Sequence, residues 1–176
     1  ETAGIDPEGR VYRASVQLGT TIPAQWLGGG NQITSPDVRR GERVVIYTCG
    51  DSKEYYWRSL GMDQNLRRLE TIIWAFSANP DNDDQESPDL DNSYFFEMNT
   101  HEKVVTFQTS MKNGEVAAYT FQLDLGDGLF TVTDEKGNYF FHDSVNTVFR
   151  MENVDKSFFE MNKKVISMFA EEFINA

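Results

Sequence analysis

The chain has 176 residues and a formal net charge of −12, with a pI near 4.5. No block of Lys and Arg interrupts that acidity, so the electrostatic footprint on which nucleic-acid affinity depends is missing. Cys49 is the one cysteine, which excludes an intrachain disulfide and a cysteine metal cage. No apolar run approaches membrane-spanning length, while the chain is long enough for one or two small domains with a core.

In chain order, Val11 to Leu18 is a mixed apolar and polar run that opens a strand, and Gly19 to Ser35 is a long loop holding Pro23, Trp26 and Gly28-Gly29-Gly30. Pro36-Asp37-Val38-Arg39-Arg40-Gly41-Glu42 is a charged surface turn. It leads into Val44 to Thr48, a β-branched and aromatic strand. Gly50-Asp51-Ser52-Lys53 then turns the chain into Tyr55 to Leu60, so the two strands form a hairpin. Asn65 to Glu70 is a helical turn or a bend, and Thr71 to Ser77 reads as a closing strand. Several short strands with long loops in the first 78 residues suit an OB-like barrel, which periodicity alone does not separate from an SH3-like barrel or an open meander.

Residues 79–92 are rich in Asp, Asn and Pro and almost free of apolar groups; such a segment cannot offset its ordering entropy and reads as an acidic linker. Asp81, Asp83, Asp84 and Glu86 alternate as calcium ligands do, but the Gly and the distal Glu of an EF-hand loop, and its flanking helices, are not signalled.

From 93 to 176 the chain is a loose internal repeat of short strands and polar turns. Ser93-Tyr94-Phe95-Phe96-Glu97-Met98-Asn99 returns as Ser157-Phe158-Phe159-Glu160-Met161-Asn162, with a partial copy at Asn138-Tyr139-Phe140-Phe141-His142-Asp143. Further strands are expected over Val116–Leu123, Leu129–Thr133 and Val145–Met151, separated by turn-formers such as Leu125-Gly126-Asp127-Gly128 and Asp134 to Asn138. Such a run taken alone leaves open edges, which closure or a partner must cover. Identical chains intertwined about a threefold axis would pair those edges between neighbours; an ordinary meander packed on the barrel is the other arrangement the pattern leaves open.

Ile22-Pro23-Ala24-Gln25-Trp26-Leu27, Val38-Arg39-Arg40-Gly41-Glu42 and Tyr55-Tyr56-Trp57, followed by strand-turn repeats with Gly137-Asn138, resemble the central-spike proteins of contractile-tail bacteriophage baseplates and the related spikes of type VI secretion systems. The resemblance implies an all-β protein: an N-terminal OB-like barrel followed by repeats that form an intertwined trimeric β-helix or β-prism. It implies a virion protein of the tail baseplate, assembled in the host cytoplasm, that binds the hub or tail proteins and pierces the host outer membrane as a homotrimer. No lysozyme domain interrupts it, and His101 and His142 do not form the His-x-His pair of the iron-bearing apex.

On this reading the trimer core comprises Phe96, Met98, Phe107, Phe159, Met161 and Met168, and Trp26, Arg39, Arg40 and Arg43 contact the hub or a neighbouring subunit. No enzyme activity, cofactor, metal or nucleic-acid partner is expected. His142, Asp143 and Ser144 are adjacent, and neighbours on a strand point to opposite faces, which argues against a triad. Glu97 and Glu160 occupy equivalent repeat positions, which suits a structural slot better than a glycosidase pair. Gly28-Gly29-Gly30-Asn31 lacks the Lys and Ser/Thr of a phosphate loop. The alternative is a monomeric OB-type module that binds a glycan or a protein.

Overall fold

The computed structural model describes residues 2–5, 11–14, 21–60, 69–80 and 87–174. Among them are fourteen strands and no helix, the all-β class expected. The chain divides into two compact units, Glu1–Gly29 with Pro36–Arg67, and Gly30–Ser35 with Arg68–Ala176.

In the first unit β1 (Thr2–Ile5) and β2 (Val11–Ala14) form an antiparallel ribbon. β3 (Gln25–Trp26), β4 (Val44–Thr48) and β5 (Tyr55–Ser59) form a three-stranded sheet in the order β3-β5-β4. β4 and β5 are the expected hairpin, with Ile46 opposite Trp57 and Tyr47 opposite Tyr56. Gly50 takes a φ of 58° in the turn between them, a conformation that costs glycine no Cβ clash. β3 runs parallel to β5 and sets Trp26 opposite Trp57.

These sheets do not close into the expected barrel. The strand expected to close it, β6 (Thr71–Ser77), pairs instead with β7 (Ser93–Asn99) in the second unit. Alternation marks a strand without naming its partner. Here the apolar set Ile72, Trp74 and Phe76 finds its match in Met98, Phe96 and Tyr94, with the Trp74 and Phe96 rings 5.5 Å apart.

The second unit continues with β8 (Val104–Gln108), β9 (Tyr119–Asp124), β10 (Leu129–Asp134), β11 (Tyr139–Asp143), β12 (Val148–Glu152), β13 (Phe158–Asn162) and β14 (Val165–Phe169). With β6 and β7 they make one nine-stranded antiparallel sheet in strict sequence order. Every strand between β6 and β14 therefore pairs with its own sequence neighbours, so ladders expected between intertwined chains are made within one chain. Six of the eight connections are two to five residues long, and an antiparallel partner at that distance is reached at far lower closure entropy than one on another molecule.

The turns carry their own device. Asp124 Oδ1 accepts from the backbone N–H of Gly126 and Asp127, both at 2.9 Å. Asp143 Oδ1 accepts likewise from Val145 (2.9 Å) and Asn146 (2.7 Å). These are Asx turns. Each is followed, just before the next strand, by a residue at positive φ: Gly128 at 73° and Thr147 at 60°.

The outer edge of β6 is capped by residues 31–34 of the loop that carries the glycine run. Ala75 N–H donates to Asn31 O and Ile33 N–H to Ile73 O, both at 2.9 Å, and Ile73 N–H donates to Thr34 Oγ1 at 2.9 Å. Asn31 Nδ2 also donates to Ala75 O at 2.9 Å. At the opposite end, no strand among the described residues pairs with the outer edge of β14.

Candidate functional site

In an antiparallel sheet, residues directly opposite one another share a face. Followed strand to strand, the register therefore draws rows of side chains along the sheet. One row runs Trp74, Phe96, Phe107, Phe121, Val132, Phe140, Met151, Phe159, Met168. The next, two residues away on each strand and on the same face, runs Ile72, Met98, Val105, Leu123, Phe130, His142, Phe149, Met161, Ile166. Apart from His142 both rows are apolar from end to end. Eight interstrand steps at ~4.8 Å give the face a length of about 40 Å.

Among the described residues of the unit, none forms a second layer over this face. Among the described residues the only apolar ones buried outright are Ala75 and Ala78. Phe107 is 42% exposed, Met151 46% and Met168 58%. Ring contacts run along the face, Phe107 to Phe121 at 6.1 Å and Phe140 to Phe149 at 4.8 Å between centroids, but they lie within one layer. A domain ordinarily buries its apolar face against a second layer, and a contiguous exposed apolar surface of this extent marks an interaction site.

The six residues expected to form a common core fall on this one face: Phe96, Phe107, Phe159 and Met168 in the first row, Met98 and Met161 in the second. Sequence reasoning missed Phe121, Phe130, Phe140, Phe149 and Met151, which the same period-two alternation marks once the turn lengths fix the register.

The opposite face is mixed: Phe95, Phe141, Phe158 and Phe169 stand among Thr, Gln, Glu and Arg side chains, and its charged groups are internally paired. Arg150 on β12 donates through Nη1 to Glu160 and through Nη2 to Glu152, both at 2.6 Å. Its guanidinium carbon lies 4.0 Å from the Phe158 ring centre. The Tyr139 hydroxyl donates to Glu152 at 2.7 Å. That hydroxyl first, and Arg150 second, hold the Glu152 carboxyl down at about 2. The same partners, Glu152 ahead of Glu160, hold Arg150 above its ordinary range, while burial and then Glu152 raise Tyr139. Glu160 is thus a clasp between strands; Glu97, on the same face, accepts from Asn99 Nδ2 at 3.1 Å.

The other candidates are placed as follows. Trp26 is half-buried on β3. Arg39, Arg40 and Arg43 are exposed in the approach to β4, where Glu42 N–H donates to Arg39 O at 3.0 Å and Glu42 Oε2 accepts from Arg39 N–H at 3.1 Å. His142 and Asp143 point to opposite faces of β11, and Asp143 is engaged by its turn; Asn146 first, with backbone N–H groups behind it, holds its carboxyl below the usual range. The acidic residues 81–86, weighed above as a calcium loop, lie outside the described residues, and no group of three His, Cys, Asp or Glu among the described residues could hold a metal ion.

Comparison with protein-family models and with curated proteins finds no match for the chain.

Proposed function

We propose that this protein is the central spike, or part of the central spike, of a contractile phage tail: a structural homotrimer whose second unit forms a needle that breaches the host envelope. The observation that carries this reading is the pair of apolar rows along nine strands, interrupted only at His142, with no covering layer among the described residues of the unit. A second copy laid face to face would make a sandwich only two rows wide, leaving both flanks open to water along its length. Three copies close a triangle. Five-residue strands give a side of about 17 Å, which sets each sheet about 5 Å from the axis, half the ~10 Å spacing of packed sheets. Successive strands rotate by about 20–25°, so nine strands turn through roughly half a revolution, and ribbons that twist this way stay face-inward by winding about a common axis. Each chain then contributes one complete wall rather than single strands.

In this reading the first unit is the OB-type head that meets the tail hub. Exposed Arg39, Arg40 and Arg43 offer it cations in an otherwise acidic chain. Rigidity comes from intrachain ladders and the dry common interior. The mechanism is mechanical: sheath contraction drives the needle through the outer membrane.

Light scattering on a size-exclusion column, at low micromolar concentration, tests the assembly. A mass of three chains that persists in mild denaturant is expected, with rods visible by negative-stain microscopy. A clean monomer would overturn the reading.

A further inference from the structure

Two connections of the long sheet break its run of tight hairpins, residues 78–92 and residues 109–118. They are fastened to each other. Ser110 Oγ donates to Asp91 O, and Gln108 Nε2, at the end of β8, donates to Leu90 O at 3.3 Å. Asn92 Oδ1 accepts from Asp89 N–H at 3.0 Å and from Ser93 Oγ at 2.6 Å, while Asn92 Nδ2 donates to Ser87 O at 3.0 Å. Asn92, Ser93 and Ser110 are 4%, 1% and 2% exposed, buried more deeply than Ala75 or Ala78. Among the described residues the deepest burial thus goes to side chains that hold irregular backbone in place, and fixing such backbone costs conformational entropy.

The fastened loops enclose a cavity of about 470 Å³ against the sheet face opposite the apolar rows, a volume typical of small-molecule sites. Its floor is Gln108, Thr120 and Thr133, directly opposite one another on β8, β9 and β10. Leu90, Met111 and Ala118 supply apolar wall, and Asp91, Lys112 and Glu135 stand among them. Asp134 also lines the cavity, with its carboxylate occupied by Asn138 and the Lys136 N–H. Glu135 engages only Oε2, which accepts from the Ala118 N–H at 2.9 Å. The Asp91 carboxylate, Glu135 Oε1, Gln108 Oε1 and the Thr120 and Thr133 hydroxyls make no hydrogen bond among the described residues.

Those free groups are mostly acceptors, so an occupant must carry several donors. Carboxylate and amide oxygens take hydroxyl donors, threonine hydroxyls both give and take, and the apolar wall suits C–H surface. Hydroxyls set around an apolar ring are the make-up of a saccharide. A phosphorylated or acidic sugar would meet the free carboxylates of Asp91 and Glu135, and like charges placed together are costly. A compact cation would meet Lys112 on the same wall, and no group of three His, Cys, Asp or Glu among the described residues could hold a metal ion. We infer that this pocket binds a neutral saccharide unit of a glycan. Its lining comes from one chain, on the face that the proposed threefold body would turn outward.

The full chain, labelled through Cys49 on the β4–β5 turn, is applied to a printed array of bacterial glycans with neutral, acidic and amine-bearing members. Its solution mass is read on the same preparation. Retention on neutral members is expected. Thr120→Val with Thr133→Val keeps the shape of the floor and removes two hydroxyls, which should weaken retention by roughly tenfold. Asp91→Ala removes an exposed carboxylate that bonds to nothing else among the described residues, and should weaken retention while leaving the urea midpoint unchanged. Absence of retention, retention confined to acidic or amine-bearing members, or retention that survives both variants overturns the inference. A one-chain species retained on neutral glycans overturns the assembly and leaves the pocket standing.

Discussion

The backbone N–H of Ser144 donates to the carbonyl of Gly128 at 2.9 Å, tying the turn after β11 to the turn after β9. Nineteen residues on, Lys163 donates to Thr147 at 3.0 Å, so the turns on this side of the sheet form a ladder of their own. The accepting residue takes positive φ in both, 73° at Gly128 and 60° at Thr147. A β-branched residue there bears a steric cost of about 1–2 kcal/mol, partly offset by the ~0.5–1 kcal/mol of extra unfolded-state freedom glycine would bring. Thr147→Gly should therefore raise stability by about 0.5 kcal/mol. Gly128→Ala should lower it by about 1–2 kcal/mol, because the φ is unchanged and the new Cβ would meet Val145 Cγ2 at 3.0 Å. Urea melts of the two variants check both signs.

Phe159 stands in the first apolar row between Met151 and Met168. Phe159→Asp places a charge where three copies converge, and burying it unpaired is prohibitive. The variant should elute at the mass of one chain while the fluorescence of Trp26 and Trp57 in the first unit, isolated in a Trp74→Phe background, stays that of the parent. A three-chain species of unchanged thermal stability would contradict the assembly.

Glu152 supplies a pH dependence of definite sign. Its carboxyl is lowered to about 2 in the folded chain, by the Tyr139 hydroxyl and then Arg150, against about 4.3 when free. A lowered folded value means the stabilisation is fully present above the free value and is lost as pH falls through about 2. The difference in urea midpoint between parent and Glu152→Gln should be largest near neutrality and should shrink steadily between about pH 4.5 and about pH 2.

Thr34 supplies the acceptor for the Ile73 N–H on the edge of β6. Thr34→Val keeps the shape and removes that acceptor, at a cost of about 1–3 kcal/mol for the stranded donor. Hydrogen exchange should accelerate at Ile73 and its β6 neighbours and remain unchanged in β4 and β5.

Much of the second unit was legible in the sequence. Alternation of Phe and Met with polar residues, broken by Asn, Asp and Gly, located the strands from β7 to β14 within a few residues, and the Phe-Phe-Glu-Met-Asn copies pointed to Phe96, Met98, Phe159 and Met161 as one set. What stayed hidden was pairing. Thr71–Ser77 carries the pattern of a strand, but only its match to Tyr94, Phe96 and Met98 shows that it starts the long sheet instead of closing a barrel. The cap from Asn31 to Thr34 was hidden because backbone groups do the bonding and leave no periodic trace in the side chains. The nineteen-residue phase was obscured by the longer connection from Thr109 to Ala118.

A sheet sealed by residues 31–34 at β6 and, among the described residues, unpaired at β14 has a polarity, and its length is quantised. Duplicating one nineteen-residue hairpin would add two strands and about 10 Å, continue both apolar rows in phase, and leave the sealed end untouched. Length in such a body is set by copy number, as on a ruler graduated in hairpins, and can be lengthened or shortened by whole graduations without redesigning a single contact at the sealed end.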